Sequence, residues 1–344
     1  MNETREKGGA GLVTLKDVAR YARCTPSTVS AVLNDSRAAR VISRETKERV
    51  LAAVRELNYQ PNFTARSLRT KRTYTVGVIT EEIGDPYGAL VISGIESFLT
   101  SKKYFFAAVA HRHNRHLFQQ YSNILLSRGV EGLIAIDTSL WGSFNVPAVA
   151  VAGHRRNKGV TNIVLDHRRA AELALSHLWE LGHRCIAFLR GQPFSSDSRQ
   201  RWRSIRDAAK KIGLEIEPEL TGQLQDDDPS PQVGYRVTKQ LLSRSNSFTA
   251  LFAYNDISAI GAIRAIQESG ALVPGDISVI GFDDIREAAY HLPSLTTIRQ
   301  PLRTMGEIAA RTLLSRIEGR EDYPAEIAIE PELIIRESTG PCPK

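Results

Sequence analysis

"TLKDVARYARCTPSTVSAVLND", residues Thr14 to Asp35, places two short amphipathic segments almost back to back at the head of a long chain. Thr14-x-x-Asp17 has the form of a capping box, and Val18, Ala19 and Ala22 share one face of the helix it opens. Thr25 stands where it can cap a second helix, with Pro26 at the first helical position, where a missing N–H does no harm. Val29 and Leu33 continue the apolar stripe, and Asn34-Asp35-Ser36 ends it. Only Tyr21, Ala22, Arg23 and Cys24 separate the two helical cores, the length of a helix-turn-helix connection. A third helix follows Ser43, carries Val50, Val54 and Leu57 at helical spacing, and is stopped by Asn58 and Pro61.

The charge is concentrated in the same region. Residues 1–72 hold 15 Lys and Arg against 7 Asp and Glu, a balance of +8, whereas the rest of the chain balances at −1. A basic module on a near-neutral body points to a polyanion met by the module alone; a solvated basic tail is the blander reading. A chain of 344 residues has room for two or three domains. No apolar run is long enough for a membrane span, and MNETREKGGAGL lacks the apolar core of a secretory signal. Cys24, Cys185 and Cys342 are far apart, so neither a disulfide nor a metal-ligand spacing is expected, and a cytoplasmic location follows.

After Lys71-Arg72 the pattern changes. "TVGVI" (75–79), "YFFAAVA" (104–110), "GLIAI" (132–136), "PAVAVA" (147–152), "NIVL" (162–165), "CIAFL" (185–189), "TALFA" (249–253) and "ISVIGF" (277–282) read as strands apolar on both faces. Helical stretches at 115–128, 168–181, 199–212, 256–269 and 301–319 fill gaps between them. Strands of that kind alternating with helices indicate doubly wound parallel sheets, and two sheets suit this length better than one.

No enzyme constellation is present: there is no P-loop, no GxSxG elbow, no HExxH and no dinucleotide fingerprint. His111, His113 and His116 cluster in sequence without ligand spacing, and surface histidines near a strand end are expected there. "QDDDPSP" (225–231) reads as a solvated loop rather than a cation site. The expectation is therefore no catalytic residue, no metal and no cofactor. The first two helices invite a chemical reading. A helix-turn-helix lays its second helix in the major groove. Pro26, Ser27, Thr28 and Ala31 would then face outward, with Ser27, Thr28 and Ser30 able to bond bases or phosphates. A small helical cap on the α/β body is the alternative. In "NYQPNFTARSLRTKR" (58–72) Asn62 could cap a helix over about 63–69, too short to be stable alone. Leu68 between Arg66 and Arg69 suits a minor-groove wedge; a linker with an incidental leucine is the other possibility.

These phrases, with "LLSRGVEGLIAI", "HLWELGHRCIAFLRG", "FAYNDISAIGAIRAIQESGALVPGDISVIGFDDI" and "LTTIRQP" in this order, resemble the LacI/GalR family of bacterial transcription regulators along essentially the full chain. The resemblance implies an all-α helix-turn-helix domain over 12–60 and a hinge helix and linker over 61–73. It also implies an α/β core over 74–340, like the periplasmic binding proteins. That core would have one subdomain from about 74–167 and 298–320 and another from about 168–297 and 321–340. It implies a homodimer on a pseudo-palindromic double-stranded operator, most often as a repressor, controlled by a small molecule in the core cleft, a sugar or sugar derivative. Thr14, Asn34, Asn62, Ala65 and Leu68 join Pro26, Ser27, Thr28, Ser30 and Ala31 as DNA-contacting positions, with Leu68 as the wedge. For the effector the resemblance points to Arg201, Asp283, Asn255, Tyr87 and Ser195. Three departures stand out. Gly153-His154 replaces the Asp-Arg many members carry after the fourth strand, so a pocket carboxylate is missing. Pro229 stands near the place of a stacking aromatic. Ala31 replaces a base-reading arginine, which alters the expected half-site. No leucine heptads follow the last core strand, so a dimer rather than a tetramer is expected. A solute-binding protein of a transport system shares the fold, but it calls for an export signal and no basic head. An enzyme on this scaffold calls for a catalytic group in the cleft.

Overall fold

Val18, Val29 and Val50 are fully buried where three short helices meet: α1 (Leu15–Tyr21), α2 (Pro26–Leu33) and α3 (Arg44–Glu56). They belong to the first of two units, 1–73 and 74–344, into which the computed structural model divides the chain. The structure describes residues 13–60, 67, 72–138, 140, 144–154, 157–226, 228–244, 247–320 and 323–344. The helices start where capping chemistry places them. The Asp17 carboxylate accepts from the Thr14 N–H at 3.0 Å and the Thr14 hydroxyl at 2.6 Å. The Thr25 hydroxyl accepts from the Thr28 N–H at 3.2 Å, satisfying one of the donors a helix start leaves open. Arg23, at φ +50°, makes the turn from α1 to α2, and Asp35, at φ +44°, follows the end of α2. Arg49 of α3 donates to the Ala22 carbonyl at 3.3 Å, tying α3 to the end of α1. Asn62, Ala65, Leu68 and nearly all of the expected hinge helix lie outside the described residues.

In the second unit the described residues form two six-stranded sheets. The first has the order β11-β5-β4-β3-β1-β2. Its strands are β1 (Thr75–Thr80), β2 (Phe105–Ala110), β3 (Gly132–Ile136), β4 (Ala148–Val151), β5 (Val160–Leu165) and β11 (Glu326–Ile329), all parallel. The second has the order β12-β10-β9-β8-β6-β7. It contains β6 (Ile186–Arg190), β7 (Thr221–Gln223), β8 (Ala250–Phe252), β9 (Ser278–Asp283) and β10 (Thr296–Arg299), with β12 (Glu332–Ile334) antiparallel at its edge. Central strands such as β3, β4 and β9 are buried at every residue, as sheets covered on both faces require. Helices α4 (Pro86–Ser101) and α11 (Leu302–Ile317) cover one face of the first sheet and α5 (Arg115–Ser127) the other. On the second sheet α6 (His167–Glu180) and α7 (Ser196–Ile212) cover one face, and α8 (Gln232–Arg244) and α9 (Asp256–Glu268) the other. The short α10 (Arg286–Tyr290) follows β9.

The chain leaves the first sheet after β5, returns to it after β10, and passes back between β11 and β12. The final passage therefore lies after Ile329, later than the boundary near 320 expected from sequence. β11 extends the first sheet by pairing with β5, Glu326 opposite Asn162.

The contact between α4 and α11 is set by two glycines. A Cβ on Gly94 would sit 1.9 Å from the Arg303 carbonyl oxygen, and one on Gly306 would sit 2.1 Å from that of Val91. Any side chain forces the helix backbones apart. Gly94→Ala should therefore destabilise the second unit by about 1–3 kcal/mol, the cost of overpacking a tight contact. A urea titration followed by circular dichroism checks this, and an unshifted midpoint would contradict it.

Candidate functional site

In an open parallel sheet the carboxyl ends of the strands are where ligands bind. Here both sheets direct those ends toward one cleft. Glu81 and Glu82 follow β1, Asp137 follows β3, Gly153-His154 comes just after β4, and Tyr254-Asn255 lies beyond β8; Asp283 ends β9. The backbone is strained at these points, with φ +48° at Asp137, +54° at Ala152, +48° at His154 and +113° at Asp283. Non-glycine residues are held in that region only where surrounding packing imposes it, and such positions gather at binding sites.

A cavity between the sheets is lined from the first by Glu81, Glu82, Asp85, Tyr87, His113 and Asp137. The second contributes Phe194, Ser195, Asp228, Pro229, Tyr254 and Asn255, among others. The described lining contains five carboxylates and no lysine or arginine. Tyr87 is 8 % exposed and its hydroxyl is buried without a hydrogen-bond partner. The Ser195 hydroxyl pairs with that of Tyr254 at 2.8 Å. Asn255 caps α9, its side-chain oxygen accepting from the Ser258 N–H at 2.9 Å. Burial pushes the Asp137 carboxyl well above the usual range, and Glu81 and Asp197 add to the shift. A 3.0 Å hydrogen bond from Ser196 opposes it. Phe194 packs on His113 with ring centres 3.8 Å apart, joining the two sides of the cleft. A second cavity shares Glu81, Phe194 and Ser195 and is lined by His154, Ser196, Trp202 and the arginines Arg199, Arg203 and Arg206.

Arg201 and Asp283 are buried and are absent from the described lining of both cavities. The Arg201 guanidinium donates to Asp197 Oδ2 at 2.9 Å and to the Tyr254 carbonyl, and lies 3.7 Å from the centre of the Phe282 ring. Asp283 accepts from Gln300 at 2.6 Å; burial drives its carboxyl well above the usual range, against the pull of Arg201. Asp197 is the centre of this layer. Its Oδ1 meets Nε2 of His154 and, at 3.2 Å, Nε2 of His167. Burial acts to raise the Asp197 carboxyl, but the two histidines hold it well below the usual range. For His154 burial opposes the proton, but the bond to Asp197 outweighs it and lifts the ring above its ordinary value; for His167 burial wins and lowers it. Asp256 is structural. It accepts from Thr297 at 2.6 Å and from the Ile285 N–H at 2.9 Å, and burial raises it to about 7.

Of the residues expected from sequence, Tyr87, Ser195 and Asn255 line the first cavity, while Arg201 and Asp283 stand behind it. Asp197 of α7 brings a buried carboxylate to His154 just after β4, and Phe194 puts an aromatic ring into the first cavity, which Pro229 also lines. Neither was singled out as a site residue from sequence, because each reaches the cleft from another element. Asp85 and Asp137 carried one usable signal, a carboxylate just past an apolar strand or at a helix start. His111, His113 and His116 do not converge. His116 is exposed, His113 pairs with Glu81 at 3.2 Å, and His111 is buried against Phe118, not a surface residue as expected.

In the first unit Thr14, Pro26, Ser27 and Asn34 are exposed, and Thr28, Ser30 and Ala31 are half-buried. Thr28 shares a 2.9 Å hydrogen bond with Thr25, and Asn34 donates to the Ser30 carbonyl at 2.7 Å.

Comparison with known proteins places these features. Residues 14–62 match the family model of bacterial regulatory proteins, lacI family, and residues 175–339 match that of the periplasmic binding protein-like domain. The chain is 34% identical over 341 residues to the HTH-type transcriptional repressor PurR of Erwinia tasmaniensis, covering 96% of this chain and 98% of that protein. Among solved structures it is similar to the Lac repressor dimer bound to operator and the anti-inducer ONPF. There the TM-score is 0.86 with 30% identity, covering 96% of this chain and 100% of the other. It is also similar to a complex of the transcriptional regulator CelR with cellobiose, with a TM-score of 0.70, 28% identity, and coverage of 95% and 99%.

His111 provides a pH test of the core beside the cleft. Both ring nitrogens are buried without a hydrogen-bond partner of good geometry among the described residues, and burial, aided by His113 and only partly opposed by the His111 backbone, lowers its pKa to about 4. The unfolded chain, with a histidine near 6.5, binds more protons between these values, so stability falls as pH drops from about 6.5 toward 4. His111→Gln should flatten that fall. Urea midpoints at pH 7 and pH 5 compare the two proteins, and equal losses would show that His111 is not the group responsible.

Proposed function

The chain belongs to the lacI family of bacterial regulatory proteins and is a DNA-binding transcriptional repressor, not an enzyme, and from that premise we propose how its parts divide the work. The first unit reads the operator. The observation that carries this is α2: Val29 is fully buried while Pro26, Ser27 and Asn34 remain exposed, so the helix presents short polar groups outward from a fixed core. Ser27, Thr28 and Ser30, with Thr14 and Asn34 at the flanks, contact bases and phosphates, and Ala31 packs on a base edge. Two copies of the chain bind a pseudo-palindromic operator as a homodimer, as the Lac repressor in the solved complex is a dimer on its operator. The protein works in the cytoplasm, where its DNA is; among the described residues no helix is long and apolar enough to cross a membrane.

The second unit holds the effector in the carboxylate-lined cavity. Tyr87, Ser195 and Asn255 touch it, and Arg201 and Asp283 fix the wall behind. Carboxylates accept from hydroxyls, and a lining with no lysine or arginine repels anions. The effector is therefore a neutral polyhydroxylated molecule, a sugar, rather than a sugar phosphate or sugar acid. The cellobiose complex of a relative supports that class.

Two measurements test these readings. Thermal-shift screening of the full chain should find a stabilising ligand among neutral sugars and none among their phosphates, because a ligand of the native state raises its melting temperature. A sugar phosphate that stabilises the chain would overturn the assignment. For DNA, Leu68 between two arginines serves as a minor-groove wedge. Leu68→Ala should leave salt-sensitive nonspecific binding intact, since every phosphate-binding charge remains, while operator preference over a scrambled duplex falls by about tenfold or more. Full preference in the variant would remove the wedge.

A further inference from the structure

His154, His167 and Asp197 offer Nε2, Nε2 and Oδ1 within 4.8 Å of one another. The geometry points to a transition-metal site at this triad, with zinc(II) or cobalt(II) as the fitting class of ion. Two imidazoles and one carboxylate form a donor set that suits these ions, and three protein ligands leave a position open for water or another ligand. Tetrahedral donors at about 2.0–2.1 Å from a metal stand roughly 3.3 Å apart, and the His167–Asp197 separation is 3.2 Å. His154 must withdraw slightly from its present contact, and its ring, 18 % exposed, has room to do so.

The surroundings supply part of what a metal site needs beyond its ligands, while Nδ1 of His167 is buried with no partner among the described residues. Arg201 holds Asp197 Oδ2 at 2.9 Å and so turns Oδ1 toward the histidines, the orienting role of an outer-shell partner. Arg201 also brings a positive charge close to the ion. Asp137 lies near enough to act electrostatically on both His154 and Asp197, and Ser196 ties it to the start of α7. His154 is presented by strained backbone, at φ +48°. It follows Gly153, where a Cβ would fall 2.7 Å from the Ala150 side chain and 2.8 Å from Asn162 Oδ1. The second cavity reaches His154, giving an entry path. On binding, the imidazolium proton of His154 passes to solvent, His167 keeps its single proton on Nδ1, and the two Nε2 lone pairs take the metal.

The three ligands come from different parts of the fold. His154 follows β4 of the first sheet, Asp197 is on α7 against the second, and His167 opens α6 where the chain crosses between them. A bound ion would clamp the cleft in the arrangement seen here, making the repressor responsive to a metal as well as to its effector. This does not depend on which small molecule the first cavity takes.

The experiment uses the full chain, free of any affinity tag and stripped with a chelator. Calorimetry with zinc(II) should show one saturable site per chain, and cobalt(II) should give visible ligand-field bands. His154→Ala and His167→Gln should each weaken zinc binding at least about tenfold and remove the cobalt bands, with folding checked by circular dichroism. His116→Ala, which changes an exposed histidine on α5, should bind as wild type. Absence of saturable binding, or binding that His154→Ala leaves at wild-type strength, would overturn the site and leave the triad as a hydrogen-bonded latch.

Discussion

The second unit is organised around one buried charge. Asp197 is 2 % exposed, and a carboxylate taken so far out of water is tolerated only if partners replace its hydration. No single element supplies them. Arg201 comes from one turn further along α7, His167 from the start of α6, and His154 from the far sheet. Removing one partner of such a group typically costs about 3–5 kcal/mol, because the other charges stay buried and uncompensated. The strained backbone at Ala152 and His154 and the absence of a side chain at Gly153 are consequences of the same demand. They bring an imidazole across the cleft to a fixed point. Ser196, bonded to both Asp137 and the Ala152 carbonyl, holds the two sides at the same level.

That arrangement is possible because the topology brings two sets of strand ends together. Parallel strands need crossovers, so each sheet is covered by helices on both faces and its polar groups are left at the carboxyl edge. The cores reflect this. Apolar clusters lie on the two faces of each sheet, while the titratable groups of the cleft sit just beyond the last strand residues. The chain passes between the sheets after β5, between β10 and α11, and between β11 and β12. These passages are close to the buried layer: His167 follows the first of them, and Gln300, which holds Asp283, opens the second.

Much of this was legible in the sequence, for identifiable reasons. The helix starts at Thr14 and Thr25 are local chemistry, decided within four residues, and the structure forms the hydrogen bonds they imply. Strands buried on both faces announce themselves as unbroken apolar runs, as at Gly132–Ile136 and Ser278–Asp283. β11 carries no such signal, because an edge strand keeps one side wet; Glu326 and Ala328 are exposed, and its partner was set by pairing rather than by composition. The cleft was harder to read. The loss of a carboxylate after β4 is visible as Gly153-His154, but the carboxylate that meets His154 sits 43 residues away in sequence, on α7. His111 looked like a surface residue near a strand end, and only its packing against Phe118 shows it to be part of the core. Local rules recover elements; the contacts that define the cleft are between elements.

The distribution of charge then separates what each part of the protein can bind. The excess of +8 in the first 72 residues attracts a polyanion at long range, and that attraction is not sequence-specific. On the proposed reading selectivity comes from the short side chains of α2; the position of that helix depends on the Val18–Val29–Val50 core rather than on helix propensity, since eight residues do not hold a helix in water. In the second unit Glu81 and Phe194 line both cavities, while Asp85 and Asp137 line only the first and Arg199, Arg203 and Arg206 only the second. The same low dielectric that strengthens the Asp197 network makes a misplaced charge in the first cavity costly.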